Sequence, residues 1–350
     1  MTGNLVIAVD AMGGDQAPAM VVEGIGMARK RFPDARFLVF GDEGEVRPYL
    51  DGSPEAAAVT EVRHTPNRVT DDAKPSQALK SGRDTSMFRA IEAVTRGEAQ
   101  AVVSAGNTGA LMGIARFVLK TLPGIERPAI VTYFPTERGE SVMLDLGANV
   151  ECGAKTLVEF AVMGEVFARA VLGLTQPTVG LLNIGAEELK GNEAVKQAAN
   201  SLRESTLPIS FQGFVEGTDI GYGAVDVVVT DGFTGNVALK TVEGTSRLYS
   251  NLLKKAFRSS LLARLGYFLS RGAINRLRDR VDPRRYNGAM LVGLNGVVVK
   301  SHGGTDPFGF ANALGVAIDL VQHRFNHTIK EDFARLSGYG EPEEPEAARA

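Results

Sequence analysis

Four short stretches of this 350-residue chain share one layout: an apolar run, a turn of glycine with Asn or Asp, then residues that can open a helix. They occupy residues 6–15, 102–110, 181–192 and 227–236. In an open parallel sheet such turns fall at the carboxyl ends of strands, where ligands bind. Glycine lets the backbone approach a ligand, and the following helix offers unpaired N–H groups and a positive dipole end. The ligand this suits is a small anion, phosphate above all. Asp10, Gly13 and Gly14 in the first turn and Ser104, Gly106, Asn107 and Thr108 in the second are therefore candidate phosphate- or substrate-binding residues. Asn183 and Gly185 in the third and Asp231, Gly232 and Gly235 in the fourth join them. Lys190 is the single cation inside these turns and suits a phosphate clamp. Asn236 is an amide that can donate to an oxyanion. The plainer reading stays open at each position: a glycine can merely shape its turn, and an Asn or Asp can merely cap it. Asp15 reads most simply as the N-cap of the first helix, opening at Pro18. No turn matches GxGxxG or GxxxxGK[ST], so neither a dinucleotide nor a P-loop nucleotide site is expected.

The other reactive residues are few. Of four histidines, only His302 lies in a glycine-rich turn, VVKSHGGTDPFG, and can serve a site. His323 and His327 are spaced i,i+4 without an HExxH pattern, and with His64 they read as surface residues. Cys152 lacks a nucleophile elbow around it and reads as a buried thiol. As the single cysteine it excludes a disulfide framework and a cysteine-cluster zinc site, and it fits a reduced, cytoplasmic location. The acids are scattered without clustered histidines, so no metal site is expected. A formal net charge of -3 argues against a nucleic-acid binder. No basic residue precedes the first short apolar run, so no secretory signal is expected, and no apolar run is long enough to span a bilayer.

Positioning these turns requires an alternation of strands and helices. Strands are predicted at 5–9, 37–40, 101–104, 130–134, 142–146, 178–182 and 225–230. Helices are predicted at 18–31, 84–96, 108–120, 153–172 and 192–204, with a long one opening at Pro307. Asn295-Gly296 between apolar runs marks a β-hairpin. Residues 51–81 read as loops with short elements. The pattern implies an α/β fold with a largely parallel sheet covered on both faces. Residues 1–338 are read as one catalytic α/β unit, in one or two lobes, and 339–350 as a disordered acidic tail.

Residues 244–285 differ from the rest. They hold 11 Lys and Arg against 2 Asp, a net +9, which leaves -12 for the remainder. Leu248, Leu252, Leu261, Leu262, Leu265, Phe268 and Leu269 recur at helical spacing among the basic residues. This predicts a protruding amphipathic hairpin, broken near Gly266 or Gly272, that serves as a partner helix, a nucleic-acid patch, a membrane anchor or plain core. An anionic membrane surface suits the combination best. Leu261, Leu262, Leu265, Phe268 and Leu269 would be its contacts.

The motifs DAMGGD, SAGNTGA, LDLGAN, NIGAEELKGN, FVEGTDI, TDGFTGN and GLNGVVVKSHG, in this order, resemble the bacterial phosphate acyltransferase family, PlsX. The resemblance implies a three-layer Rossmann-like sheet similar to isocitrate and isopropylmalate dehydrogenases and phosphotransacetylases. It implies transfer of a fatty acyl group from acyl-acyl carrier protein to inorganic phosphate, giving acyl phosphate for phospholipid synthesis. It also implies a homodimer, peripheral membrane attachment, no cofactor, and a downstream membrane acyltransferase that forms acylglycerol phosphate as a partner. The family's catalytic lysine and asparagine fall on Lys190 and Asn236. The residues agree with such chemistry: phosphate is already largely a dianion near neutral pH, and a thiolate is a fair leaving group. Direct attack then needs no acyl-enzyme, only a positioned anion and oxyanion donors. The alternatives are a short-acyl phosphotransacetylase using coenzyme A, a non-catalytic membrane-recruited scaffold, and a dehydrogenase of similar fold, whose arginine-rich site and paired metal-binding aspartates are not evident.

Overall fold

The apolar runs form strands buried over most of their length, because helices cover both faces of the sheet they build. The computed structural model describes residues 5–70, 72–205 and 209–337. Its first part comprises β1 (Leu5–Asp10), α1 (Ala19–Arg31), β2 (Ala35–Gly41), α2 (Glu43–Asp51), α3 (Pro54–Ala57), β3 (Thr60–His64), α4 (Pro75–Ser81), α5 (Ser86–Thr95), β4 (Ala101–Ser104) and α6 (Thr108–Leu119). Then come β5 (Ala129–Pro135), β6 (Glu140–Leu144), α7 (Ala154–Leu172), β7 (Thr178–Leu182), α8 (Glu193–Glu204), β8 (Ser210–Val215), α9 (Gly217–Tyr222) and β9 (Val227–Val229). The chain ends with α10 (Gly232–Arg258), α11 (Leu261–Arg280), β10 (Ala289–Val292), β11 (Val297–Lys300), α12 (Pro307–Gln322) and α13 (Phe325–Ser337).

Eleven strands form one sheet in the order β3-β2-β1-β4-β11-β10-β5-β6-β9-β7-β8. Pairing is parallel from β3 to β11 and again from β6 to β8. Between these runs β11–β10, β10–β5 and β5–β6 are antiparallel. Three reversals in succession turn the second run head to tail with the first. The carboxyl ends of β1, β4 and β11 thus lie at one end of the strands, and those of β6, β9, β7 and β8 at the other.

Alternation along each strand feeds two faces. In β1, Ile7 and Val9 join the core that holds Ile25, Phe160, Phe167, Phe310 and Leu314, under α1, α7, α8 and α12. Ala8 joins the opposite one, with Met87, Ile91, Leu111 and Ile114 of α5 and α6. Each fully buried Phe, Ile or Leu contributes on the order of 1.5–3 kcal/mol.

Most predicted elements are present, with differences that have local causes. Asp15 does not cap α1: Pro18 occupies the N-cap position without a side-chain bond, and the Asp15 N–H donates to the Gly303 carbonyl at 3.0 Å. The intervening turn holds Asp15 away from the helix end. The stretch read as loops contains α3, β3 and α4; β3 is an edge strand, TEVRH, largely exposed and so without apolar alternation. The strand predicted over 142–146 stops at Leu144, and the predicted tail at 339–350 lies outside the described residues.

The basic segment forms the hairpin α10–α11, but Gly266 and Gly272 lie inside α11. The chain turns at Ser259 and Ser260 instead. Ser259 Oγ donates to the Ala256 carbonyl at 2.7 Å, and Ser260 Oγ accepts from the Ala263 N–H at 3.1 Å. Two serines that close one helix and cap the next outweigh a mid-helix glycine, which costs only about 1 kcal/mol. α10 also begins upstream, in the fourth glycine turn itself. Only Gly232 and Gly235 of α10 and no residue of α11 are buried, and residues 244–256 are exposed throughout, so the hairpin protrudes. Leu261 and Leu262 are each 81% exposed and Leu269 76%. Replacing both Leu262 and Leu265 by Glu is accordingly expected to move the melting temperature by no more than about 2 °C in calorimetry, as for other surface changes. A loss of about 10 °C would put the stripe in a core.

Candidate active site

At the carboxyl ends of β1, β4 and β11, the hub is Asp10, almost wholly buried. Its carboxylate accepts from Ser104 Oγ at 2.7 Å and from the Met12 N–H at 3.2 Å. Burial pushes its carboxyl above the ordinary carboxylate range, while these hydrogen bonds and the charge of Lys300 pull the other way. Ser104 Oγ also accepts from the Gly106 N–H at 3.1 Å, so that amide points inward. Gly13 packs against this knot so closely that a Cβ there would stand 2.5 Å from the Gly106 nitrogen. Only glycine fits. Asn107 caps α6 by accepting from the Ala110 N–H at 2.9 Å, and Thr108 opens that helix, exposed. Gly14, with φ +105°, completes the first turn. His302 is exposed beside this turn, and its Nδ1 accepts from the Gly304 N–H at 3.1 Å. Lys300 Nζ donates to the Ala105 carbonyl at 3.2 Å and to that of Ser301.

At the other end of the strands, Asp145 is the hub. It is fully buried. It accepts from the N–H groups of Ile130, Gly147, Ala148 and Asn149 and from the Asn149 side chain, at 2.7–3.2 Å. The loop so fixed receives α10. The Gly232 N–H donates to the Asn149 carbonyl at 2.7 Å, and a Cβ on Gly235 would fall 1.9 Å from the Asp145 carbonyl oxygen. Asp231 caps α10, accepting from the Thr234 N–H at 2.8 Å and its hydroxyl at 2.9 Å. Asn236 is exposed in the first turn of α10, its Nδ2 donating to the Leu146 carbonyl at 3.0 Å. After the adjacent strand β7, Asn183 Nδ2 bonds the carbonyls of Gly185 (3.2 Å) and Lys190 (3.1 Å), closing the third turn. Lys190 folds back over buried Gly185 and meets Glu187 at 2.9–3.0 Å. The Glu187 carboxylate raises the Lys190 ammonium further above its ordinary range.

The structure thus gathers the predicted residues into two groups rather than one. Asp10, Gly13, Gly14, Ser104, Gly106, Asn107, Thr108 and His302 share one end of the strands; Asn183, Gly185, Lys190, Asp231, Gly232, Gly235 and Asn236 share the other. Several spend their polar groups on the fold: Asn183 staples a turn, Asn107 and Asp231 cap helices, and Gly232 and Gly235 admit α10. Sequence reasoning left Asp145, Asn149 and Lys300 out of the candidate set. The Asp-x-Gly-x-Asn spacing within LDLGAN, and a lysine two residues before His302, were the available signals. Among the described residues no group of three His, Cys, Asp or Glu could hold a metal ion.

The pattern of the fatty acid synthesis protein family matches residues 5–328. The chain belongs to this family. Phosphate acyltransferase of Rhodospirillum rubrum is 63% identical to it over 336 residues, covering 96% of each chain. Phosphate acyltransferase of Rhodospirillum centenum is 62% identical over 353 residues, covering 99% of each. Like these relatives, the chain is an acyltransferase. Among solved structures, a phosphotransacetylase from Streptococcus pyogenes aligns with a TM-score of 0.64 at 18% identity, covering 93% of this chain and 95% of that one. The EutD phosphotransacetylase from Staphylococcus aureus aligns at 0.58 and 18%, covering 91% and 94%. At such identities the likeness is one of fold, here a mixed α/β fold with a large central sheet.

In this acyltransferase Cys152 lines a recess of about 470 Å³ with Arg127, Val150, Glu151 and Gly153. Burial, with the charges of Asp145 and Asp231, pushes its thiol up to about 11. At neutral pH it is a thiol, and the thiolate is the nucleophile. Cys152→Ser should therefore keep most of the activity, and mass spectrometry during turnover should find no acyl group on Cys152; a trapped thioester there would refute this.

Proposed function

We propose that this acyltransferase moves a fatty acyl group from the thioester of acyl carrier protein to inorganic phosphate, releasing acyl phosphate for phospholipid synthesis. One observation carries the reading: Lys190 and Asn236 stand in turns that follow neighbouring strands, β7 and β9, in a chain related to phosphate acyltransferases. A phosphate oxygen attacks the thioester carbonyl carbon; the C–O bond forms, the C–S bond breaks, and the proton of hydrogen phosphate ends on the departing thiolate. Lys190 holds the phosphate. Its contact with Glu187 is an exposed pair, which an incoming dianion can displace. The Asn236 amide donates to the carbonyl oxyanion as it forms.

The two groups of candidate residues stand at opposite ends of the strands and, at their nearest, on β11 and β9, four ladder spacings or about 20 Å apart across the sheet. In a homodimer, a twofold axis can set the Asp10–His302 end of one chain against the Lys190–Asn236 end of the other. The exposed apolar stripe of the hairpin attaches this cytoplasmic enzyme to the membrane surface; no helix among the described residues is long and apolar enough to cross a bilayer. The net +9 of residues 244–285 attracts anionic lipid and an acidic carrier protein alike.

Phosphate-dependent thiol release should be faster from long-chain acyl-acyl carrier protein than from acetyl-coenzyme A; the reverse preference would make it a short-acyl phosphotransacetylase, and no release a scaffold. Lys190→Ala and Asn236→Ala should each lower turnover about tenfold or more with the fold intact. Co-expressing Asn236→Ala with His302→Ala chains should restore about a quarter of wild-type activity if the site spans two subunits, and none if each site lies within one chain. Leu262→Glu with Leu265→Glu should abolish flotation with anionic liposomes while soluble activity persists. Unchanged flotation would move the membrane contact elsewhere.

A further inference from the structure

We propose that Asn287 is a positioning residue for the reaction: it fixes the turn that carries His302. Its buried side chain reaches across from the segment that leaves the hairpin. Oδ1 accepts from the His302 N–H at 2.9 Å; Nδ2 donates to Ser301 Oγ at 2.8 Å and to the Gly309 carbonyl at 2.7 Å. The partners fix the orientation of the amide, because a flip would set NH2 against an N–H and oxygen against a carbonyl. Three bonds from one buried amide thus tie the end of β11, the His302 backbone and the first turn of α12.

The turn has a chemical consequence. Because His302 Nδ1 accepts from the Gly304 N–H at 3.1 Å, the neutral ring carries its proton on Nε2. The exposed ring is thereby presented as an Nε2–H donor, suited to a phosphate oxygen. A second contact braces the same turn: Arg284 Nη1 meets Asp306 Oδ2 at 2.7 Å, and Asp306 caps α12 by accepting from the Gly309 N–H at 3.0 Å. The inference rests on the reading above that the His302 turn faces the substrates.

The test is a double-mutant cycle in the full-length enzyme, reading kcat/KM for inorganic phosphate with acyl-acyl carrier protein as donor. Asn287→Ala and His302→Ala should each lower it about tenfold, and the double variant should be no worse than His302→Ala alone. Losses that multiply would show that Asn287 acts through packing elsewhere, and would overturn the proposal. A fully active His302→Ala would instead remove the turn from the site, and the proposal with it. Should Asn287→Ala fail to fold, Asn287→Asp decides. Its carboxylate opposes the Gly309 carbonyl, whereas the protonated form can donate to it, so kcat/KM relative to wild type should rise between about pH 7 and pH 5. A flat ratio would count against the inference.

Discussion

Three consecutive antiparallel pairings, β11 to β10, β10 to β5 and β5 to β6, reverse the sheet between its two parallel runs. A ladder between neighbouring strands allows only parallel or antiparallel pairing, and right-handed βα crossovers keep each run parallel within itself. Once the middle of the sheet reverses an odd number of times, the carboxyl ends of the two runs must point opposite ways. Every glycine turn inherits its location from that count. The Asn295-Gly296 hairpin supplies one reversal by bringing β10 back beside β11, and the short β5–β6 connection supplies another. β10 beside β5 supplies the third.

Each end of the sheet is then organised by a buried aspartate that spends its oxygens on the surrounding backbone and side chains. Asp145 accepts five hydrogen bonds and Asp10 is held by Ser104 and Met12. Burying a carboxylate is costly unless such donors surround it, so these acids commit the adjacent loops to one conformation. The exposed groups left over, Lys190 and Asn236 at one end and His302 at the other, stand on scaffolds whose own polar demands are already met. Gly13 and Gly235 are required by the close approach of backbone they permit.

Strand and helix existence was legible wherever an element crosses the core, because burial on both faces writes itself as an unbroken apolar run: Ala101–Ser104 and Thr178–Leu182 match to the residue. It was least legible at the edges. TEVRH and SFQGFV flank the sheet, and of their eleven residues only Val215 is buried. The candidate site was half legible. Residue types and turn layout picked out most polar groups at the strand ends, but strand polarity is a property of pairing between segments far apart in sequence, and no single turn encodes it. Asp145, legible as an acid at a strand end, stayed out of the candidate set because a buried organiser and a solvated turn acid look alike in one dimension. The hairpin break went to two serines rather than two glycines because capping satisfies free helix-end groups, whereas glycine merely weakens a helix it does not have to end.

The hairpin has a foot at each end of the sheet. α10 starts against the Asp145 loop and carries Asn236 in its first turn. With 27 residues it runs about 40 Å, far beyond the length of the strands beside it. α11 brings the chain back to the opposite end, where Arg280 Nη2 donates to the carbonyls of Thr136 (2.9 Å) and Glu137 (3.1 Å). Seven residues later Asn287 grips the His302 turn. The hairpin is anchored at both ends, Ala238 and Leu239 of α10 pack against the core around Leu146 and Ile220, and α11 has no buried residue, so a tilt of the pair strains these contacts. Its exposed apolar stripe and its attachment to both groups of polar residues are thus two aspects of one chain path.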